Sequence, residues 1–537
     1  MRKHLLGAVL ALAVAGMFGS NAHAVEGEAR FEIRSYVIEG NTLLPAEEIA
    51  RVLQPFTGES VDFETIQAAI TTLEAYYAAS GYGAVKAILP EQDIEDGKVN
   101  LRIVEATIGH IVVNGNQFFS EKNIRASLPD LREGERPNMG RIDSQLRVAN
   151  ESAAKQTNLV LRRGYRDGEV DAVLRVADED PFRVALMADN TGVPAADGKY
   201  ATGQFRTGLI VQHSNLFDRD HALSLQYLTS PDHLSAVKIF GLGYRIPLYE
   251  RGDGLVFAYG YSNVNSGKLT TAAGSYGISG SGQVFVAKYE QYLPKLSEWQ
   301  QKLSYGLDYK MFSSMVVPDG GSESLVPNST VHPVSLTYSG NASLEGRELS
   351  MSLSWVQNIS GGNNGTTADF NRPGGRQGAD ANYQLWRYQM SGMQQLPSDW
   401  MLRGAFQGQS TRYALISGEQ FGVGGMDSVR GFNDRSVAND YGTRASIELH
   451  TPDLGNLLDK PDIRMRVLAF YDTAYLQRNL ALPSEVKSQQ ISSFGFGLRS
   501  IYAKNLNFRL DFAVVDKGAG VKESGSTMLH ASFISYF

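Results

Sequence analysis

The spacing of apolar and polar positions changes near residue 181. From residue 182 onward, apolar or aromatic residues alternate with small or charged ones, for example over residues 255–262, 303–311 and 507–514. This period of two predicts β-strands with one apolar and one polar face. In a soluble β-sandwich the apolar face would pack on a second sheet, whereas in a membrane β-barrel it would face lipid and the polar face would line a lumen.

Residues 31–180 instead show helical spacing and an internal repeat. The segment Val37-Ile38-Glu39-Gly40-Asn41 recurs 75 positions later as Val112-Val113-Asn114-Gly115-Asn116, each copy predicting a short strand and a Gly-Asn turn. In the first copy we expect helices over residues 46–54 and 62–80 and strands over 83–89 and 98–105. The second helix has one apolar face, and Gly81 is expected to end it. The residues on the apolar face are Ile66, Ile70, Leu73 and Tyr77.

The second copy predicts the same order of elements. Its helices cover residues 120–128 and a segment with Ile142, Leu146, Ala149 and Ala153 facing inward, and its strands lie near 158–162 and 170–176. Two β-α-α-β-β units result. This layout resembles the POTRA domain, a periplasmic module that precedes some outer-membrane barrels.

The N-terminus and the composition favour the membrane barrel. Arg2 and Lys3 precede an apolar stretch over residues 5–18, and Ala22-His23-Ala24 fits a signal-peptidase site, so residues 1–24 are expected to be an export signal. Aromatic residues make up 10% of the chain, and the last residue is Phe537. Sixteen strands of about 22 residues each, connections included, would fill residues 182–537, although fourteen or eighteen would also fit.

The composition also excludes several functions. The chain has no Cys, and its nine His form no H-E-x-x-H motif, so we expect no metal site and no cofactor. The net charge of -7 supplies no basic field for nucleic acid. No G-x-S-x-G motif is present to suggest a hydrolase, and we expect no enzymatic activity.

One long connection, between strands expected near residues 402–409 and 444–449, carries a distinctive motif: Gly424-Gly425-Met426-Asp427-Ser428-Val429-Arg430-Gly431-Phe432. It resembles the Val-Arg-Gly-Tyr/Phe signature in the sixth extracellular loop of two-partner secretion (TpsB) transporters of the ShlB/FhaC/HecB type. The resemblance implies that a loop around residues 418–440 folds into the lumen, where Arg430 pairs with an Asp of a Phe-x-Asp-x-Gly motif. The counterpart is Phe470-Tyr471-Asp472-Thr473-Ala474, in which Ala474 replaces the Gly and the wall strand is expected to pack differently.

The residue chemistry agrees with this pairing. Strand alternation places Asp472 on the same face as Arg464 and Arg466, and a charge facing lipid at the midplane would cost roughly 2–4 kcal/mol, so this face should line the lumen. An Arg can grip a carboxylate with two parallel hydrogen bonds, and Gly424, Gly425 and Gly431 permit turns closed to other residues. Because the lumen is expected to be wet, we expect partial screening of the pair.

We therefore expect a mainly β protein of four parts: a signal peptide (1–24), two α+β POTRA domains (25–107 and 108–180) and a transmembrane antiparallel barrel (181–537). The family resemblance implies an outer-membrane pore, with its POTRA domains in the periplasm, that binds a large unfolded exoprotein and exports it to the cell surface. The alternative is an outer-membrane assembly factor of the same superfamily, which usually has more POTRA repeats. A plain porin would leave the POTRA units unexplained.

The expected partners are the exoprotein, outer-membrane lipid and the barrel-assembly machinery. In the last strand Phe533 and Phe537 share a face with Leu529, as expected of a strand that this machinery recognises. Family members often carry a plug helix before the first POTRA domain, for which residues 25–30 leave no room. We therefore expect the loop that carries Arg430 to close the pore.

Overall fold

The computed structural model describes residues 30–192, 203–234, 237–264, 266–271, 274–279, 281–313, 326–455, 460, 462–503 and 505–537. The expected signal peptide lies outside these residues. The chain divides into two compact units, Met1–Glu105 and Ala106–Phe537.

The first unit contains a three-stranded sheet and two helices. Its elements are β1 (Phe31–Ile33), β2 (Ser35–Glu39), α1 (Ala46–Leu53), β3 (Gly58–Val61), α2 (Phe63–Ala79), β4 (Val85–Ile88) and β5 (Lys98–Glu105). The sheet order is β2-β5-β4, with β2 parallel to β5, and β1 pairs separately with β3. Helix α2 begins after Asp62, whose side chain accepts a hydrogen bond from the Thr65 N–H, and its predicted apolar face is buried in the core.

The second unit begins with the same arrangement. Its first elements are β6 (Thr107–Asn114), α3 (Glu121–Ala126), α4 (Met139–Ala149), β7 (Lys155–Arg163) and β8 (Glu169–Asp178), with sheet order β6-β8-β7 and β6 parallel to β8. The prediction that Ala153 lies on the inner helix face is wrong, because α4 ends at Ala149. Asn150 ends the helix: its side chain accepts from the Thr157 N–H at 2.7 Å and donates to the Thr157 carbonyl at 2.9 Å.

The sequence repeat corresponds to a structural repeat. Gly40 and Gly115 both have positive φ, and an added Cβ would lie 2.5 and 2.3 Å from carbonyl oxygens of β5 and β8. In each unit a carboxylate accepts hydrogen bonds from the backbone that follows the glycine turn. Glu105 accepts from the Leu43 N–H, and Asp178 accepts from the N–H groups of Phe118 and Phe119. Glycine is therefore required at the same place in both copies.

The remaining strands form a barrel and two hairpins. They are β9 (Phe182–Asp189), β10 (Arg206–Leu216), β11 (His221–Thr229), β12 (Ile239–Leu248), β13 (Asp253–Ser262), β14 (Ser266–Thr271), β15 (Gly274–Ser279), β16 (Gly282–Leu296), β17 (Trp299–Phe312), β18 (Ser329–Val331), β19 (Pro333–Leu344), β20 (Arg347–Asn358), β21 (Gln384–Gln395), β22 (Met401–Ser410), β23 (Phe421–Val423), β24 (Val437–Asn439), β25 (Tyr441–His450), β26 (Ile463–Gln477), β27 (Ser488–Tyr502), β28 (Leu506–Lys517) and β29 (Thr527–Tyr536). A short helix, α5 (Thr367–Phe370), precedes β21.

Within the described residues, sixteen antiparallel strands close into a barrel when β18 and β19, which both pair with β17, are counted as one. Strand β29 pairs with β9 to complete the circle. The hairpins β14–β15 and β23–β24 lie outside this count. The predicted fold class, a barrel preceded by two α+β POTRA domains, is confirmed.

The two faces of the barrel differ as the alternation predicts. On β17, Tyr305, Leu307 and Tyr309 are exposed on the outer face, and similar apolar side chains project from β27 and β28. The chain reaches β9 directly from β8, and the short turns at this end include residues 217–220, 249–252 and 345–346. Most of the long connections lie at the other end. Of the helices described, none is long and apolar enough to cross a membrane.

Candidate functional site

The connection between β22 and β25 folds into the barrel. Its strands β23 and β24 pair with each other, and the segment between them carries the motif Val429–Phe432. Val429 and Phe432 are fully buried in an apolar cluster with wall residues, which are Ala474, Leu476, Ile491 and Val515. Ala474, expected to alter the packing of its strand, supplies a methyl group to this cluster.

The Arg430 side chain forms the central contact between loop and wall. Its Nε donates to Asp472 Oδ2 at 2.7 Å and its Nη2 donates to Asp472 Oδ1 at 2.8 Å, which is a bidentate pair. The Arg430 backbone N–H also donates to Asp472 Oδ2, at 3.1 Å. The two side chains are only 2% and 0% exposed, so the pair is desolvated and the expectation of a screened, wet pair is wrong.

Further wall residues complete the environment of the guanidinium. Arg430 Nη1 donates to Glu448 Oε1 at 2.8 Å and lies 3.4 Å from Asp511 Oδ1. The guanidinium carbon lies 3.4 Å from the centre of the Phe470 ring, a cation–π contact. Asp511 is in turn paired with Arg499 at 2.9 Å and with Arg509 at 2.6 Å.

The latch network joins charged side chains of the loop and of the wall. Three guanidinium groups face three carboxylates, and the members come from the loop and from β25, β26, β27 and β28: Arg430, Arg499, Arg509, Glu448, Asp472 and Asp511. Buried charges are tolerated when they are paired and their hydrogen bonds are satisfied. The loop therefore adds a cation, Arg430, and a carboxylate, Asp427, to the charged groups of the wall.

Gly431 brings the loop backbone against the wall. It has φ of 89°, and an added Cβ would lie 3.3 Å from the Ala513 Cβ. Its N–H donates to His530 Nε2 at 2.9 Å, and its carbonyl accepts from Lys522 Nζ at 2.8 Å. His530 Nε2 is therefore the unprotonated ring nitrogen.

The glycine pair shapes the turn that leads into the motif. Gly424 and Gly425 have φ of 113° and 100°. An added Cβ on Gly425 would lie 1.9 Å from Asp434 Oδ1. These positions therefore need glycine both for backbone conformation and for space.

The loop tip reaches deep into the lumen. Arg509, near the start of β28, donates to Asp427 Oδ1 at 2.8 Å, and Arg444 donates to the Asp427 carbonyl at 2.7 Å. Beside the tip lies a polar cavity of about 550 Å³, whose lining includes Ser350 and Arg403. The loop therefore crosses much of the pore from the extracellular end.

A second set of contacts fastens the base of the loop. The buried Glu419 carboxylate lies 3.0 Å from Lys310 Nζ and 2.8 Å from an Arg387 nitrogen. Asp440, also buried, accepts backbone N–H bonds from Leu415 at 2.9 Å and from Asn479 at 2.7 Å. The loop is therefore held at its base as well as at its tip.

The structure brings together five of the nine predicted residues: Val429, Arg430, Gly431, Phe432 and Asp472. Gly424 and Gly425 lie in the loop turn. Phe533 and Phe537 are exposed on the outer face of the last strand, away from the loop. Arg466, expected on the same face as Asp472, pairs with Asp399 at 2.8 Å near the periplasmic turns.

Sequence reasoning missed several members of the site, including Glu448, Phe470, Asp511 and His530. Strand alternation places Asp511 on the polar face of β28 and Phe470 on the same face as Asp472. Strand alternation identifies the residues that face the lumen, but it does not indicate which of them lie at the same depth in the barrel as Arg430.

Comparison with known proteins identifies the family. The model of the haemolysin secretion/activation protein ShlB/FhaC/HecB family matches residues 168–500, and the model of the ShlB-type POTRA domain matches residues 31–106. The chain is 22% identical over 484 residues to the heme/hemopexin transporter protein HuxB of Haemophilus influenzae strain 86-028NP, covering 85% of this chain and 78% of HuxB. It is 23% identical over 451 residues to the outer membrane transporter CdiB of Dickeya dadantii, covering 81% and 75% of the two chains.

The fold resembles a solved structure over almost its full length. CdiB from Escherichia coli superposes with a TM-score of 0.75 at 17% identity, covering 97% of this chain and 93% of that chain. CdiB from Acinetobacter baumannii gives a TM-score of 0.70 at 16% identity, covering 96% and 91%. The family model covers more than half of the chain, and the barrel and the POTRA domains agree with it; the chain belongs to the haemolysin secretion/activation protein ShlB/FhaC/HecB family.

Proposed function

We propose that this chain is the pore of a two-partner secretion system, in which the POTRA domains capture an unfolded exoprotein and the barrel passes it to the cell surface. The observation that carries the proposal is a barrel whose lumen holds its own latched loop and whose first strand follows a POTRA domain directly. A diffusion porin has no use for such a domain. The barrel lies in the outer membrane and the POTRA domains lie in the periplasm.

The proposed division of labour follows the domain order: an export signal (1–24), POTRA domains over 25–107 and 108–180, and a pore over 181–537. Each POTRA sheet has two edge strands, β2 and β4 in the first and β6 and β7 in the second. An extended exoprotein segment can add to such an edge through main-chain hydrogen bonds. Capture of this kind needs no folded client and little sequence specificity.

The loop over residues 418–440 acts as the closure of the pore. Arg430 and Asp472 form the latch, and Val429 and Phe432 hold the loop against the apolar wall, while Gly424, Gly425 and Gly431 set its path. Passage of an exoprotein requires the loop to leave or to shift within the lumen. We also propose that the barrel-assembly machinery recognises Phe533 and Phe537 on the outer face of the last strand.

The alternative is an assembly factor that inserts other barrels into the outer membrane. HuxB and CdiB, the relatives described above, are both named as transporters, which favours secretion. The identity of the exoprotein is left open, because heme/hemopexin belongs to the name of HuxB alone.

The test begins with a search of the reading frames beside the gene of this chain for a large exported protein, which then serves as the exoprotein. Cells that produce both proteins should release the exoprotein into the medium, and deletion of residues 31–180 should abolish release at an equal amount of heat-modifiable barrel. The levels of other outer-membrane proteins serve as the second readout. Unchanged release would contradict the proposal, and a fall in the other barrels would favour the assembly factor.

A further inference from the structure

The second POTRA domain contacts the periplasmic end of the barrel through the turn between β10 and β11. Phe217, Asp218 and Asp220 in this turn all have positive φ, at 61°, 54° and 58°. Non-glycine residues rarely adopt this conformation, so the surroundings must hold the turn in its shape. The contacts of Asp220 and Asp218 identify what holds it.

Asp220 lies at the centre of a buried polar cluster. Its Oδ2 accepts from Lys155 Nζ at 2.7 Å and from the Tyr249 hydroxyl, and its Oδ1 accepts from Asn123 Nδ2 at 3.1 Å. The Lys155 and Asp220 side chains are 0% and 3% exposed. Lys155 belongs to β7 of the POTRA domain, whereas Asp220 and Tyr249 belong to two different barrel turns.

The ammonium group of Lys155 is fully engaged. Besides Asp220 it donates to Asn123 Oδ1 at 2.9 Å, and it lies 4.9 Å from the centre of the Phe119 ring. Burial lowers the pKa of Lys155, and the neighbouring Asp220 opposes this effect. Separation of the domain from the barrel would leave an ammonium and a carboxylate without their partners.

Contacts around the cluster extend the interface. Asn123 Nδ2 lies 3.2 Å from Asn215 Oδ1, and the Ser120 hydroxyl donates to Asp218. On helix α4, Arg141 donates to the Glu250 carbonyl at 3.3 Å. Elements α3, β7 and α4 of the domain therefore engage two barrel turns at once.

We propose that Lys155 and Asp220 are positioning residues that keep the second POTRA domain docked on the barrel throughout export, so that its sheet edge holds the exoprotein at a fixed place beside the pore. A buried pair with this many directed bonds suits a permanent joint better than a hinge that opens in each cycle. The inference rests on the proposed function for its secretion readout only.

The first experiment locks the joint. Because the natural chain has no Cys, the variant Ser120→Cys/Asp218→Cys can form only one intramolecular disulfide. Oxidation should form it, and export of the exoprotein should continue within about two-fold of the rate in the reduced sample. Export that stops on oxidation and returns on reduction would overturn the proposal, as would failure of the disulfide to form.

The second experiment breaks the pair. Lys155→Met and Asp220→Asn, each placed in the two-cysteine background, should lower both the disulfide yield and export several-fold at equal heat-modifiable barrel. The double variant removes both buried charges and should recover most of both signals. The matched control is Lys295→Met, which removes an exposed lysine paired with Glu298 at the end of β16 and should change neither signal.

Two outcomes distinguish failure of the docking proposal from failure of the proposed secretion function. Loss of the disulfide in Lys155→Met with export unchanged would show that docking is not needed and would overturn the proposal. Absence of export in every variant and in the parent would reject the secretion function, while the disulfide yields would still test whether Lys155 and Asp220 hold the joint.

Discussion

Arg430 places a guanidinium group in a part of the lumen that water hardly reaches. A lysine could not replace it, because the two parallel bonds to Asp472 need a planar group with two donors. Removal of one member of such a buried pair typically costs about 3–5 kcal/mol, since the other charge is left without its partner. At the residue scale, the loop is therefore held by one guanidinium group whose carboxylate partners lie on the wall strands.

Gly431 gives a prediction at the same scale. Gly431→Ala forces a side chain into positive φ and against Ala513, which should weaken the latched state by about 1–3 kcal/mol. Planar-bilayer recordings should then show the open state about ten-fold more often. Gly404→Ala is the control, because an added Cβ there meets no atom within 4 Å. Equal gating in the two variants would mean that the approach of Gly431 to the wall does not hold the loop.

The site could be predicted only in part from the sequence. Arg430 and Asp472 followed from the family motifs, and alternation assigned Asp472 to the lumen. Glu448 and Asp511 did not follow, because their nearness to Arg430 depends on the register of four strands, for example of Asp472 opposite Ser446. The burial of the Arg430–Asp472 pair was missed for a related reason. The apolar cluster around Val429 and Phe432 forms only after the loop has folded into the barrel.

At the scale of elements, the loop and the final strand are the parts most closely tied to function. The alternation in residues 182–537 was enough to predict strands, and the repeat was enough to predict two similar units. The hairpin β23–β24 was not predicted, because each strand has only three residues and the flanking sequence is rich in glycine. The end of α4 depended on the bonds of Asn150 to Thr157, which helical spacing does not encode.

Deletion of residues 424–435 should open the pore. This segment holds the loop tip and the latch, and its removal empties much of the lumen. The deletion variant should show a larger and steadier conductance in planar bilayers than the parent. Deletion of residues 481–486, in the extracellular connection before β27, should leave conductance unchanged. If the two deletions conduct alike, the loop is not the main obstruction.

Removal of Phe537 should lower the yield of folded barrel. Its backbone N–H donates to the Val184 carbonyl at 2.8 Å and its carbonyl accepts from the Val184 N–H at 3.2 Å, so it extends the seam between β29 and β9. Its side chain is also 72% exposed on the lipid side, where assembly machinery can reach it. Heat-modifiable barrel in the outer membrane is the measurement, and Phe63→Ala, at a phenylalanine 55% exposed in the first unit, is the control. An unchanged yield would count against the role of Phe537.

At the scale of the whole molecule, three devices act in sequence along the export path. In the proposed account, POTRA edges offer main-chain bonds to an unfolded chain, a buried joint between Lys155 and Asp220 fixes one of these edges on the barrel, and a loop fastened at base and tip closes the lumen. The tip latch is the step on which the account depends most, because export requires it to open.

The most direct measurement is a double-mutant cycle on that latch, with Arg430→Ala, Asp472→Ala and the double variant compared for released exoprotein at equal heat-modifiable barrel. Each single change leaves the other charge in the lumen without its partner and a loop that no longer returns to its place, and should therefore reduce export about ten-fold. The double variant should be no worse than either one, because both changes break the same contact. Arg466→Ala, which breaks the half-exposed pair with Asp399, should have little effect. Fully additive losses for Arg430 and Asp472 would show that the two residues act independently and would contradict the latch.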